Sequence, residues 1–221
     1  VADYNYRLDI PLNVSRSYLQ ADGAVKKISS YITKKVADKL KSLFNNNRED
    51  FETKWNDIKI VIEYGMLSEE KFFEKSEAFV LYPTIDGAYY TYDELYNKIK
   101  AKQTDKNDKL VILYASNAEE QHSYIQAAKA KGYEVLLLDS PIVSHWIQKL
   151  EASKENISFA RVDADHIDKL IQKEENTISK LTEEEKTKLD ELLKEVISSE
   201  KFIVQLEAMD SSAAPFIITQ P

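Results

Sequence analysis

The residues best suited to chemistry lie near the start of the chain, in residues 9–20, which read Asp-Ile-Pro-Leu-Asn-Val-Ser-Arg-Ser-Tyr-Leu-Gln. Pro11 favours an extended backbone before it, and the polar residues that follow can cap a helix beginning near Arg16. Arg16 and Gln20 then lie four residues apart on one helix face. A guanidinium suits an anionic oxygen such as a nucleotide phosphate, and Gln20 can add a neutral hydrogen bond to the same ligand.

The spacing of Arg16 also fits a simpler interpretation, in which this arginine pairs with a surface carboxylate. Lone arginines are common, and no glycine-rich phosphate loop flanks this one. From spacing alone the surface ion pair is the more frequent outcome, so both interpretations stay open at this point.

Other catalytic or metal-binding patterns are weaker. His122, His145 and His166 fall on three different predicted helices with no second ligand at metal-binding spacing, so we predict surface or packing roles and no metal site. No Ser-His-Asp order or glycine elbow is present. The chain has no Cys, which excludes disulfides and thiolate metal sites.

Composition excludes two classes of partner. With 30 Lys and Arg against 38 Asp and Glu, the net charge is −8, which argues against a nucleic-acid backbone as ligand. No apolar run reaches bilayer-spanning length and no basic and apolar leader opens the chain, so we expect no membrane segment and a cytoplasmic location.

The first half of the chain predicts long helices. Residues 21–44 repeat apolar side chains at helical spacing, which predicts one buried stripe. Its members are Val25, Ile28, Ile32, Val36, Leu40 and Leu43. A second helix carries Trp55 on its buried face and is predicted to end at Gly65, as a left-handed glycine after the last turn. The turn at Asp86-Gly87 precedes half-buried tyrosines and a helix that Thr91 and Glu94 open as a capping box.

The second half predicts an α/β unit. Apolar runs at residues 110–114, 135–138 and 157–162 are expected to be buried strands, connected by helices in a right-handed sense. We expect the first connecting helix to be capped at Ser116 and to end at Gly132, and the second to follow Pro141. Thr182 and Glu185 open a last helix, after which residues 202–206 and 216–218 are predicted to be strands.

Residues 9–20 also resemble the catalytic-loop signature in the middle segment of the ninety-kilodalton heat-shock chaperones, bacterial HtpG type. The likeness continues through Tyr64-Gly65, the run Gly-Tyr-Glu-Val-Leu-Leu-Leu at residues 132–138 and the run Arg-Val-Asp at 161–163. It covers nearly all of residues 9–221 and leaves out residues 1–8.

The resemblance implies a role for Arg16 and Gln20. In this family the matching arginine reaches the γ-phosphate of ATP, held with Mg in a separate N-terminal domain, and the matching glutamine supports that contact. It further implies a homodimeric, ATP-driven stress-response chaperone that assists the folding of client proteins. The chain would then be a middle fragment that hydrolyses no ATP alone.

The expected fold class is α/β: long connecting helices, then a small three-layer α-β-α unit with a short mostly parallel sheet, then a partial α+β segment. We expect three parts: residues 1–66 with the catalytic loop and connecting helices, residues 67–176 as the small α/β subdomain, and residues 177–221 as the truncated start of the C-terminal dimerisation domain. The rival hypothesis is a non-catalytic adaptor module that binds another protein through its helices and in which Arg16 does no chemistry.

Overall fold

The computed structural model describes residues 23–173, 179, 181–197, 202–208 and 215–220. Its helices and strands follow one another as α1 (Gly23–Asn46), α2 (Arg48–Thr53), α3 (Trp55–Ser68), α4 (Glu70–Ser76), β1 (Tyr82–Pro83), β2 (Tyr89–Tyr90), α5 (Tyr92–Gln103), β3 (Leu110–Ala115), α6 (His122–Ala130), β4 (Val135–Leu137), α7 (Val143–Ser153), β5 (Ile157–Arg161), α8 (Ile167–Leu170) and α9 (Glu183–Val196).

The chain forms two compact units. Unit 1 comprises the described residues of Val1–Lys98 and Leu136–Glu155, and unit 2 comprises those of Ile99–Val135 and Asn156–Pro221. The predicted division at residues 66 and 176 stays a prediction. Among the described residues, no helix has both the length and the apolar character needed to cross a bilayer.

The core of unit 1 is built where α3 packs against α4 and α7. Trp55 and Trp146 are each 1% exposed, which confirms the prediction that Trp55 belongs to the core. Trp146 stacks on Tyr82 with ring centroids 5.4 Å apart. Its indole N–H also donates to the Met66 sulfur at 3.3 Å. The polar edge of this large apolar side chain is therefore satisfied inside the core.

The predicted buried stripe of α1 is wrong in part. Ile32, Val36 and Leu43 are exposed, Ile28 and Leu40 are half-buried, and the side chain of Val25 lies outside the described part of the chain. The face turned inward is instead formed by Thr33, Ala37, Leu40 and Phe44. α1 packs on α4, and the small side chain of Ala37, 1% exposed, is the fully buried residue of that face. The contact with α4 therefore determines which face of α1 is buried, and the larger apolar residues Ile32 and Val36 remain exposed.

The prediction for Gly65 is also wrong. Gly65 lies inside α3, and the glycines with positive φ in the described residues are Gly87 and Gly132. A Cβ at Gly65 would lie 2.9 Å from two ring carbons of Phe72. Glycine is therefore required there by the close approach of a buried ring on α4, and the helix continues past it.

In unit 2, β3 and β5 are parallel, with Leu110 opposite Ile157 and Tyr114 opposite Arg161. The sheet has the strand order β4-β3-β5. In unit 1, a separate antiparallel pair joins β1 and β2, with Tyr82 opposite Tyr90. These elements confirm the predicted α/β class with its short, mostly parallel sheet.

α6 begins later than predicted, at His122 instead of just after Ser116. The side-chain oxygen of Gln121 accepts hydrogen bonds from the backbone N–H groups of Ser116 at 2.8 Å and Asn117 at 3.0 Å. The Gln121 side chain thus bonds the backbone N–H groups of Ser116 and Asn117 and stabilises a non-helical turn before α6. The end of this helix is as predicted, with Gly132 at φ +72° just beyond it.

The predicted strands at 202–206 and 216–218 are wrong, because neither stretch forms a strand. A β-strand needs a neighbour to accept its backbone hydrogen bonds, and two short stretches beside one helix make a marginal sheet. The apolar residues Ile203, Phe216 and Ile218 are exposed instead.

Candidate functional site

The predicted phosphate contacts Arg16 and Gln20 lie outside the described residues, and their role stays a prediction. What the structure describes is the helix that follows them, since α1 begins at Gly23. The carboxylate of Asp38 pairs with Lys75 on α4 at 2.7 Å. α1 is therefore held to unit 1 by an ion pair as well as by its packed face.

A second arginine, Arg48, lies at the start of α2 and was not singled out from the sequence. Its guanidinium donates to Glu94 through two nitrogens at 2.5 and 2.8 Å, to Glu52 at 2.7 Å and to the Tyr89 carbonyl at 2.9 Å. The N–H groups of Arg48 are thus bonded to other parts of the protein. The role of Arg48 is structural, because it joins α2 to α5. The capping pattern of Thr91 and Glu94 was the one signal in the sequence that pointed to this cluster.

Arg48 also changes the acidity of its partner. The hydrogen bond from Arg48, with a smaller contribution from the Thr91 backbone N–H, lowers the pKa of Glu94 to about 2. Thr91 donates this bond to the Glu94 carboxylate at 2.9 Å. The Glu94 carboxylate thus caps α5 and also binds Arg48 of α2. Hydrogen bonds between charged groups are stronger than those between neutral groups, which suits this double role.

Among the described residues of unit 1, Glu63 is the buried carboxylate, and sequence reasoning missed it. It lies on α3 with 4% of its surface exposed, and its Oε2 has no hydrogen-bond partner among the described residues. Ser140 bonds to the carboxylate, and the ion pair of Lys59 with Asp139, at 2.5 Å, lies beside it. The spacing of apolar residues along the helix predicts that Ile62 is buried. It does not predict that the neighbouring Glu63 is buried as well.

The environment of Glu63 favours its neutral form. Burial raises the pKa of its carboxyl group, whereas the hydrogen bond from Ser140 and the charge of Lys59 act in the opposite direction. The charge of Asp139 adds to the rise. A buried carboxyl with one unpaired oxygen is costly to ionise, because burial removes the hydration of the charged form and the interaction with Ser140 replaces only part of it.

The three histidines do not assemble into a site. His122 and His145 are exposed, and the ring of His166 accepts a hydrogen bond from the Asp168 backbone N–H at 3.4 Å, where it caps α8. Within the described part of the chain, no group of three or more His, Asp or Glu residues is arranged to hold a metal ion.

Comparisons with known proteins identify the chain's relatives. It is 47% identical over 215 residues to the chaperone protein HtpG of Bacteroides fragilis strain YCH46, covering 96% of this chain and 32% of the relative. It is 48% identical to that of Bacteroides thetaiotaomicron, again over 96% and 32%. The chain thus spans about a third of the length of these relatives.

A solved structure of the middle domain of a Plasmodium falciparum heat-shock protein is also similar, with a TM-score of 0.49 and 17% identity over 64% of this chain and 59% of that one. The assignment rests instead on the HtpG relatives and on a family model. The model of the Hsp90 protein family matches residues 7–220, a span that includes the loop at residues 9–20. The chain therefore belongs to the Hsp90 family of chaperones and is of the bacterial HtpG type.

Proposed function

We propose that the chain is the middle segment of an ATP-dependent chaperone and that Arg16 donates to the γ-phosphate of ATP held, with Mg, by a separate N-terminal domain of the same parent chain. Gln20 supports that contact with a neutral hydrogen bond. The observation that carries the proposal is the family match across residues 7–220, because it includes both residues in their loop. The donor set fits: a guanidinium with a neighbouring amide suits phosphate oxygens.

The role of Arg16 follows from the charge it carries. Negative charge on the phosphoryl oxygens is redistributed during transfer, and a positioned guanidinium stabilises that charge when it is most concentrated. The nucleotide is held mainly by the N-terminal domain, so Arg16 adds little to the affinity of the ground state. It therefore raises turnover more than it raises affinity for ATP.

α1 connects this loop to the rest of unit 1. Its 24 residues span about 36 Å at 1.5 Å per residue. Its C-terminal half is fixed to α4 by packing and by the pair of Asp38 with Lys75. We propose that a change in the position of the arginine loop is transmitted along α1 to the packed core, and that this couples hydrolysis to the handling of client proteins.

The parent is proposed to be a homodimer that binds unfolded or partly folded proteins. The nucleotide pocket and the catalytic base lie in the N-terminal domain, so the 221-residue chain alone is expected to hydrolyse no ATP. Its cytoplasmic location stays a prediction from the sequence.

The test is steady-state ATP hydrolysis by the full-length parent carrying Arg16→Ala. We expect turnover to fall on the order of 10-fold to 1,000-fold while ATP affinity changes by less than about threefold, because the lost interaction belongs to the transition state. Gln20→Ala removes a neutral hydrogen bond, so its effect should be smaller. Lys27→Ala is the matched control, since it removes an exposed positive charge that follows the loop in sequence, on α1.

Unchanged turnover in a folded Arg16→Ala parent would reject the catalytic role and favour the adaptor hypothesis. An equal loss in Lys27→Ala would also reject it, since the effect would then come from general charge near the loop. Rescue by Arg16→Lys to wild-type turnover would show that a point charge suffices and that the forked geometry of the guanidinium is unimportant.

A further inference from the structure

Unit 2 contains a cavity of about 550 Å³ between α6 and the segment that runs from the end of β5 into α8. Tyr124, Ala127 and Lys131 line it from α6, and Val162, His166 and Ile167 line it from the opposite side. Lys131 pairs with Asp168 at 2.5 Å. The Asp165 carboxylate also lines the cavity and accepts a hydrogen bond from the His166 backbone N–H at 2.7 Å. The rim is therefore charged, while the walls between are largely apolar, which is the usual character of a ligand site of this size.

One side of the cavity is bounded by residues 216–220 of the chain itself, here called the strap. The Gln220 backbone N–H donates to the Asp163 carbonyl at 2.8 Å. Arg161 donates to the Gln220 carbonyl at 2.6 Å. The Tyr124 hydroxyl donates to the Ile218 carbonyl. All three hydrogen bonds use backbone atoms of the strap, so the groove holds this segment by features that every polypeptide has.

The strap does not fill the groove. Ile217 is half-buried and lines the cavity, but Phe216 is 70% exposed and Ile218 is 59% exposed beside it. The remaining volume has room for apolar side chains, and the exposed Phe216 and Ile218 extend the apolar surface at its edge. Unfilled apolar volume next to exposed apolar side chains is typical of an interaction site.

Arg161 is oriented toward the strap by a second group. Its guanidinium donates to the Asp163 carboxylate at 2.5 Å, and Asp163 is buried. Asp163 thus has two roles. Its carboxylate holds the Arg161 side chain in place, and its backbone carbonyl accepts a hydrogen bond from the strap. The polar edge of the groove is pre-organised, which reduces the entropy lost on binding an extended chain.

We propose that this groove binds an extended apolar peptide segment, of the kind an unfolded protein exposes, and that the strap occupies part of it in cis. The incoming segment uses its backbone to meet Tyr124, Arg161 and Asp163, and its apolar side chains enter the cavity. The proposal rests on the proposed chaperone function only for the source of the peptide. It involves none of the residues assigned to the phosphate contact.

The test uses the whole 221-residue chain and a fluorescein-labelled peptide with the sequence of residues 215–221, followed by fluorescence anisotropy. Ile217→Ser weakens the strap's own hold, so the added peptide should bind about 3-fold to 10-fold more tightly than to the wild type. Two further variants are tested in the Ile217→Ser background, where the strap competes less. Ala127→Glu places a charge in the groove wall and should weaken binding at least tenfold. Tyr124→Phe removes one hydrogen bond and should weaken binding about fivefold.

Tyr64→Phe, on an exposed tyrosine of unit 1, is the matched control and should leave binding unchanged. A second probe in which Phe and both Ile residues are replaced by Ser should not bind. Methyl NMR shifts at Val162 and Ile167 on addition of the first peptide would place it in the groove, and melting temperatures confirm that each variant is folded.

The proposal is overturned if the peptide binds neither the wild type nor Ile217→Ser, or if the folded double variant of Ile217→Ser with Ala127→Glu binds as well as Ile217→Ser alone. In the full-length parent, Ala127→Glu should keep client-free ATP turnover while it loses peptide binding, and Arg16→Ala should do the reverse. Failure of the groove and failure of the phosphate contact are thus separate results.

Discussion

α7 and α9 have equally amphipathic sequences but lie in opposite environments. α7 buries Trp146, Ile147 and Leu150, whereas no residue of α9 is buried in the described structure. Leu192 on α9 is 59% exposed. The pattern of apolar residues therefore predicts a helix and one of its faces, but a distant segment must supply the surface that covers this face. For α7 that segment is α3.

The largest expected effect is on stability, where a truncation on α7 should cost far more than one on α9. Trp146→Ala should lower the free energy of unfolding by about 3–5 kcal/mol, because it leaves a cavity among Tyr82 and Met66. Trp55→Ala should cost a similar amount for the same reason. Leu192→Ala, the control on α9, should change it by less than about 0.5 kcal/mol. Urea unfolding measures all three, and a large cost for Leu192→Ala would show that α9 is packed in solution.

A second prediction concerns the close packing of α3 on α4. Gly65→Ala should lower the free energy of unfolding by about 1–2 kcal/mol, since the new Cβ meets the buried Phe72 ring at 2.9 Å. Alanine is otherwise the better helix former by about 1 kcal/mol, so a gain in stability would show that the ring yields easily. The double variant Gly65→Ala with Phe72→Leu should show coupling between the two positions, because both changes act on one contact.

The buried carboxyl of Glu63 predicts a pH dependence in the same region. Its pKa is raised in the folded state, so the stability it contributes is fully present below the unfolded-state value of 4.5 and is lost as pH rises through the folded-state pKa. Glu63→Gln should therefore stabilise the chain by about 1 kcal/mol at pH 8 and by nothing measurable at pH 4.

Unfolding curves at several pH values measure this difference, and Glu184→Gln on the exposed α9 serves as the matched control. The ¹³C chemical shift of the Glu63 carboxyl carbon gives a direct titration. A midpoint at or below 4.5 would contradict the assigned environment, as would a stability gain in Glu63→Gln that does not change with pH.

The smallest expected effect compares two threonine–glutamate caps. Glu94 has a pKa lowered to about 2, chiefly by Arg48, so its stabilisation is present above the unfolded value of 4.5 and is lost as pH falls toward 2. The pair is partly exposed and screened, so Glu94→Gln should cost only about 0.5–1 kcal/mol at pH 7. Glu185 caps α9 with Thr182 and lacks the arginine, so Glu185→Gln should cost less. Equal costs in thermal unfolding at pH 7 would show that Arg48 adds nothing to the cap.

Several elements were predictable because their cause is local. The reciprocal bonds of Thr182 and Glu185 form within four residues, and the strand β3 is a continuous apolar run. The left-handed glycine at 132 ends a helix whose own residues predict that end. The resemblance that pointed to the family was likewise carried by a contiguous loop at residues 9–20.

The features that could not be predicted depend on residues far apart in the chain. Gly65 is needed because of Phe72, Glu63 is buried beside Ser140, and Arg48 finds Glu94 some 46 residues away. The inward face of α1 is likewise chosen by its contact with α4. These pairings cannot be predicted from the spacing of apolar residues or from helix-capping patterns, because both describe only residues that are close in sequence.

The sequence by itself determined the helices, the buried strands, the family and the arginine proposed to contact phosphate, since each is encoded in neighbouring residues or in one contiguous motif. Only the tertiary structure decided which apolar faces are buried, which carboxyl is forced toward neutrality and where a groove remains open beside residues 216–220. The physical reason is that burial, desolvation and close approach are properties of two surfaces meeting, and a single stretch of sequence describes only one of them.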